Sequence, residues 1–221
     1  MLEVRGLNVN IGAIPILRDA ALDLKDGEIV GLIGRNGAGK TTFLRALMGL
    51  IAHKSGEISF DSSLLTSLPA QKRAHLGIGY MPEDRKLVPS LTAEENIKTP
   101  VWSMDLEGWE ERLDWIYKLV PEAGQFRDRP SNSLSGGQQK LVALARALMV
   151  GRKLLLLDEP SEGIAPALAM RMNAILKDLK AEGVSILIAE SNVHHVSGLI
   201  DRMFAIERGS VEEQDPATAG H

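Results

Sequence analysis

The stretch Gly34-Arg35-Asn36-Gly37-Ala38-Gly39-Lys40-Thr41-Thr42 carries the spacing Gly-x4-Gly-Lys-Thr. The residue types at those places suit one chemistry, the holding of phosphates. Gly34, Gly37 and Gly39 leave a path that a Cβ would block, so the backbone N–H groups of the loop, those of Asn36 and Ala38 included, can converge on one concave anion site. Lys40 adds a full charge near the β- and γ-phosphates of a nucleotide, and the Thr41 hydroxyl supplies a ligand for Mg²⁺, with Thr42 beside it. The bland alternative is a glycine-rich turn that binds nothing. The apolar run before the loop and the helical pattern after it argue against that.

A second group of residues with chemistry is Lys153-Leu154-Leu155-Leu156-Leu157-Asp158-Glu159-Pro160. Successive leucines describe a central strand buried on both faces, and open α/β sheets place ligands at the carboxyl ends of their strands. Adjacent strand residues point to opposite faces. Asp158 is therefore expected in the Mg²⁺ shell, with Glu159, near the strand's end, turning toward the γ-phosphate. Without a phosphate loop in the same chain the two would read as surface carboxylates ending a strand. A third candidate is Ser135-Gly136-Gly137-Gln138, where Ser135 and Gln138 have capping-box spacing. Its glycines cost about 1 kcal/mol each in a helix, and they leave N–H groups bare at a helix N-terminus, which is an anion site.

These residues need elements to hold them. Residues 28–33 form an apolar run of buried-strand type ahead of the phosphate loop, and residues 43–49 read as a helix ending at a glycine. Residues 2–10 alternate apolar and polar, as do 22–24, with Asp26-Gly27 as a turn. Together they predict an antiparallel β-layer beside the nucleotide core. Further strands are expected at 55–61, 76–81 and 184–189, with a hairpin about Arg208-Gly209. From residue 83 to about 150 the pattern is helical: Thr92 and Glu95 form a capping box, Leu113, Ile116, Tyr117 and Val120 recur at helical spacing, and a long helix runs to Val150. Trp102, Trp109 and Trp115 all fall in this segment and are expected to pack its core. A helix opening at Pro166 stops at Gly183, and another is expected through 193–200. The strand–helix alternation predicts an α/β fold with a mainly parallel sheet, an antiparallel β-layer near the N-terminus and an inserted helical subdomain. The expected organisation is one domain over 1–221, with a core of about 1–82 and 151–221 and the helical part at about 83–150.

Composition excludes several classes. The net charge of −4 gives no basic footprint for nucleic acid. Zero cysteines rule out a disulfide framework and thiolate metal sites and fit a reducing compartment. Met1-Leu2-Glu3-Val4-Arg5-Gly6 lacks the basic and apolar blocks of a signal peptide. No apolar run approaches the roughly 20 residues that cross a bilayer, so membrane contact is expected only through partners.

In order along the chain, the phosphate loop, Leu134-Ser135-Gly136-Gly137-Gln138 and the apolar run ending in Asp158-Glu159 together resemble the ATP-binding subunits of ABC transporters. Within that family the chain is most similar to the ATPases of branched-chain amino acid importers, with those of urea and amide importers alike. That rests on Gly77-Ile78-Gly79-Tyr80-Met81-Pro82-Glu83-Asp84-Arg85, Leu91-Thr92-Ala93-Glu94-Glu95-Asn96, Ser161-Glu162-Gly163-Ile164-Ala165-Pro166 and Ala189-Glu190-Ser191-Asn192. The resemblance implies ATP and Mg²⁺ as ligands and two ATPase subunits facing head to tail. Each ATP would lie between the phosphate loop of one subunit and Ser135, Gly136, Gly137 and Gln138 of the other. Lys40, Thr41 and Thr42 would hold phosphates and metal, Asp158 would bind Mg²⁺ through water, and Glu159 would orient the attacking water. Two membrane permease subunits would be the other partners, placing the chain in the cytoplasm on the inner face of the cell membrane.

Three positions depart from the family pattern. Ile11 aligns where an aromatic stacks on adenine, a contact worth roughly 1–3 kcal/mol. Glu83 stands where a glutamine follows the proline, and it can ligate Mg²⁺ directly or through water. Ser191 aligns where a histidine contacts the γ-phosphate; His194 and His195 follow too late and read as surface residues. These departures suggest the weaker of two unequal sites in a heterodimer with a paralogous ATPase, with a homodimer as the other possibility. Non-transport relatives usually carry coiled-coil insertions, zinc cysteines or two ATPase domains in one chain, and none is found here. A nucleotide switch that never turns ATP over is expected to lack Glu159.

Overall fold

Alternation in Leu2–Ile11 (β1) puts Leu2, Val4, Leu7 and Val9 on one face, all buried. Ile14–Leu24 (β2) pairs with it antiparallel, Leu2 opposite Leu24 and Val4 opposite Leu22. On the other side lies Ser55–Phe60 (β4), with Leu2 opposite Phe60, and then the short edge Ser63–Leu64 (β5). This is the expected antiparallel layer, in the order β2-β1-β4-β5. The structure, a computed structural model, describes residues 1–215. The last residues of the span expected to form one domain lie outside them.

The second sheet contains Ile29–Ile33 (β3), Ile78–Met81 (β6), Leu154–Asp158 (β7), Ser185–Glu190 (β8), Arg202–Glu207 (β9) and Ser210–Gln214 (β10). Its order is β10-β9-β3-β8-β7-β6, parallel throughout except for the β9–β10 hairpin. Every residue of β7 and β8 is buried, as a strand covered on both faces requires. The strand period then divides the leucines between two cores. Leu154 and Leu156 pack with Phe43, Leu44 and the antiparallel layer, while Leu155 and Leu157 pack with the helices on the opposite face. The helix between the two sheets is Lys40–Leu47 (α1).

The helices are Ala70–His75 (α2), Ala93–Met104 (α3), Trp109–Leu119 (α4), Pro121–Gln125 (α5), Gly136–Val150 (α6) and Pro166–Ala181 (α7). Both expected capping boxes form, at Thr92 with Glu95 and at Ser135 with Gln138. α3, α4 and α5 pack on α6, and α6 lies against β6 because Gly79 has no Cβ; one there would fall 2.3 Å from the Ala147 carbonyl oxygen. α2 has no counterpart among the expected elements. Its one buried residue, Arg73, donates to the Ala46 and Leu47 carbonyls and so caps the end of α1.

Two expectations are corrected. Trp102 is 59% exposed and does not pack the helical core. Trp109 and Trp115 sit half-buried against it, and Trp115 also donates to Glu182 (3.1 Å) with the Arg112 guanidinium 3.8 Å from its ring centre. In place of a helix over 193–200 there is a single 3-10 turn, Val193–His195, capped by the Asn192 side chain. The β-branched Val193 and Val196 and the glycine at 198 disfavour a longer helix.

Candidate functional site

The phosphate loop links the end of β3 to the start of α1. Gly34 is pressed against β9 so closely that a Cβ would lie 2.3 Å from the Ile206 carbonyl oxygen. Gly39, with φ +115, is the residue before the helix and brings no side-chain acceptor, so the first N–H groups of α1 have no cap from it. Around them lies a cavity of about 420 Å³ lined by Asn36, Gly37, Gly39, Lys40, Thr41, Thr42, Glu83, Glu159 and Ile16.

Lys40 and Glu159 form a buried ion pair at 3.0 Å. The ammonium also donates to the carbonyls of Gly34 (2.6 Å) and Arg35 (3.2 Å). The other oxygen of Glu159 accepts the N–H (3.1 Å) and the hydroxyl (3.2 Å) of Ser191. Asp158 accepts from the Thr41 hydroxyl (3.1 Å) and from Tyr80 (3.2 Å). Asp158 and Glu159 thus both work on the loop side, where plain strand alternation places them on opposite faces. The reason is local: the chain leaves strand geometry at Glu159, whose φ is +48.

Burial pushes the Asp158 carboxyl up to about 6, with the bonds from Thr41 and Tyr80 pulling the other way and the charges of Glu83 and Glu159 adding to the rise. Burial likewise raises Glu83, helped by the charges of Glu162 and Glu159. Among the described residues no cluster of three or more histidine, aspartate and glutamate side chains could enclose a metal by itself. What is present, a hydroxyl and a carboxylate 3.1 Å apart beside the glycine-rich loop, fits a Mg²⁺ that keeps phosphate and water ligands.

The structure does not bring every candidate together. Ile11 lies at the end of β1, 53% exposed, and Ile16 is the apolar side chain that lines the cavity. Ser135 and Gly136 are exposed, Gly137 and Gln138 half-buried, and none of the four lines the cavity. Tyr80 and Glu190 stand within motifs quoted above but were given no part in the site, and Lys140 was not singled out at all. Glu190 is wholly buried, accepts from the Ser161 N–H (2.9 Å) and lies 3.2 Å from His195 Nδ1. His195 is accordingly not a bare surface residue. A tyrosine in a strand and a lysine in a helix carry no spacing signal that would have marked them.

A family profile described as ABC transporter matches residues 17–162. The high-affinity branched-chain amino acid transport ATP-binding protein BraG of Pseudomonas aeruginosa is 35% identical over 99% of this chain and 94% of that protein. The lipopolysaccharide export system ATP-binding protein LptB of Escherichia coli K12 is 34% identical over 88% of this chain and 81% of that protein. Among solved structures, the dimeric post-hydrolysis state of the ATP-binding cassette MJ0796 with ADP and Pi superposes with a TM-score of 0.87, covering 98% of this chain and 99% of that one at 26% identity. The chain belongs to the ABC transporter family, as one of its ATP-hydrolysing cassettes.

Proposed function

We propose that this chain is the ATPase subunit of an importer for branched-chain amino acids or related small polar solutes, acting as a dimer with a second, paralogous ATPase. One observation carries the assembly: the phosphate loop and Glu159 line one cavity, while the exposed helix start at residues 135–138 lies outside it. A subunit facing head to tail would supply that second helix N-terminus to the γ-phosphate. Two permease subunits would take the work to the membrane's inner face; no helix among the described residues is long and apolar enough to cross it. The solute class is supported by the relatives named for branched-chain amino acid transport, BraG and the Archaeoglobus fulgidus LivF.

In this reading the N–H groups at residues 36–41 bind the β- and γ-phosphates. Thr41 and Asp158 would hold Mg²⁺, and Glu83, in the wall of the same cavity, could join them through water. The metal, when bound, would neutralise phosphate charge. Lys40, drawn toward the γ-phosphate, exchanges part of its pairing with Glu159, which leaves that carboxylate held by Ser191 and able to take a proton from the attacking water. Ser191 then acts on Glu159 as well as standing near the phosphate. The rate comes from positioning and charge stabilisation.

The test is reconstitution with the cognate permeases. A solute-binding protein loaded with leucine or a related solute is expected to raise ATP turnover. Stimulation by lipopolysaccharide instead, as the likeness to LptB allows, would overturn the importer assignment.

A further inference from the structure

Lys140 is a charged residue on the inner face of α6, 4% exposed. Its Nζ donates to the main-chain carbonyl of Glu159. Burial pulls the ammonium's pKa down, and the charges of Glu190, Glu162 and Glu159 oppose that pull. The backbone of Glu159 is therefore held on both sides of its Cα. Its N–H donates to the Ala189 carbonyl at 2.9 Å, and its own carbonyl accepts from Lys140. Between these two anchors the residue adopts φ +48, a conformation that residues with side chains rarely take, and this turn aims its carboxylate at Lys40 and Ser191.

Lys140 lies little more than one helical turn from Ser135 and Gly136, about 6 Å along the axis from Gly136. The start of α6 and the Glu159 peptide are thus joined by one rigid turn of helix and one hydrogen bond. We propose that Lys140 is a positioning residue that ties the N-terminus of α6 to the Glu159 peptide, so that seating this helix start sets the orientation of the catalytic carboxylate in the same subunit. The inference rests on the reading of Glu159 as the carboxylate that orients water. It goes beyond that reading by making the exposed helix start govern a second site, its own, in addition to the partner's nucleotide.

Steady-state ATP turnover of the full chain with its partner ATPase, over a range of ATP concentrations, tests it. Lys140→Met keeps the volume and apolar stem while removing the donor. It is expected to lower kcat about tenfold or more, since misplacing a reacting group by an ångström can cost about 10²-fold, with KM for ATP within about twofold of the parent. A role confined to folding would lower the melting temperature without this split. Lys140→Met removes a positive charge that faces buried Glu190, so Lys140→Met with Glu190→Gln is also compared with Glu190→Gln alone. The double variant is expected to fall about tenfold below its reference. Parental kcat in Lys140→Met, equal kcat in the double variant and its reference, or a rise in KM with kcat unchanged would each overturn the inference. Glu159→Gln is assayed alongside. Its loss of turnover together with parental kcat in Lys140→Met sinks the inference alone, whereas unchanged turnover in Glu159→Gln sinks the role of Glu159 and the inference with it.

Discussion

Helix α1 follows a glycine and helix α6 opens on one, and the two begin differently. α1 starts inside the protein: Lys40 and Thr42 are buried, Gly39 stands before them at φ +115, and no side chain caps the helix. α6 starts at the surface: Ser135 accepts from the Gln138 N–H, Gln138 accepts from the Ser135 N–H, and both Ser135 and Gly136 are exposed. In the proposed reading the first is an anion site, which the chain completes with its own lysine and hydroxyls, its carboxylates facing the metal and the water. The second satisfies part of its own backbone and presents the rest outward. An uncapped, enclosed helix start is suited to hold phosphate tightly, and a capped, exposed one to meet it and let go.

The largest effect that would separate the two is expected at Glu159. Glu159→Gln should lower turnover by about 10²–10⁴, the range for a lost general base, while nucleotide binding at α1 persists and the dimer that closes α6 over nucleotide accumulates. Turnover assays and sizing with ATP check this; parental turnover would remove Glu159 from the mechanism. Next in size is the electrostatic cost of enclosure. Asp158 titrates at about 6 in the folded chain against an ordinary 3.8, so the folded state binds its proton more tightly than the unfolded state does. Its contribution to stability is then full below about pH 4 and lost as pH rises toward about 6, by at most about 3 kcal/mol. Denaturant unfolding of parent and Asp158→Asn across that window should show the parent losing ground relative to the variant. Parallel curves would mean that the carboxyl is not raised. The exposed start of α6 has no buried carboxylate and no such cost.

Enclosure also explains what could be read in advance. Motifs at α1 and β7 were legible because glycine spacing and four successive leucines reflect steric and burial constraints that few other arrangements share. The capping boxes at Thr92 and Ser135 were legible because their chemistry is local in sequence. What escaped depends on long-range packing or on one residue's backbone. Lys140 reads as a solvated charge on a helix until α6 is laid against Glu159. The common side taken by Asp158 and Glu159 follows from φ +48 at a glutamate, which no period predicts. Trp102 is exposed although aromatic residues in a helical lobe usually pack, and α2 is too short and polar to announce itself, although its Arg73 closes α1.

A pair of matched substitutions addresses the two helix starts directly. Gly39→Ala forces a side chain into φ +115, with its Cβ 3.0 Å from Leu17 Cδ2, and should cost about 1–3 kcal/mol of stability together with nucleotide affinity. Gly136→Ala has no such strain, and its Cβ meets only the end of the Arg85 side chain at 3.2 Å. It should leave stability unchanged or raise it by up to about 1 kcal/mol. Its turnover should nevertheless fall about tenfold, as a contact to a charged phosphate worth about 1.5–3 kcal/mol is weakened across the dimer. Opposite signs in thermal unfolding, with losses of turnover in both, are the expected result. A stability loss in Gly136→Ala equal to that in Gly39→Ala would show the two starts to be alike.

The smallest effect is expected at Ser191, and it decides how complete the enclosed site is. Ser191→Ala removes one of two donors to Glu159 and leaves the N–H at 3.1 Å. Ser191 is exposed, so water can replace its hydroxyl on a carboxylate that keeps another donor. The loss should therefore fall below the about 1.5–3 kcal/mol of a bond to a charge, at about 0.5–1.5 kcal/mol, a fall of roughly two- to tenfold in kcat with ATP affinity unchanged. Ser191→His keeps the same N–H and places an imidazole donor toward the γ-phosphate. If this subunit carries the weaker of two unequal sites because that donor is absent, Ser191→His should raise turnover in the presence of the paralogous partner. A fall in both variants would mean that holding Glu159 is all this position does, and the unequal-site reading would then have lost its strongest support.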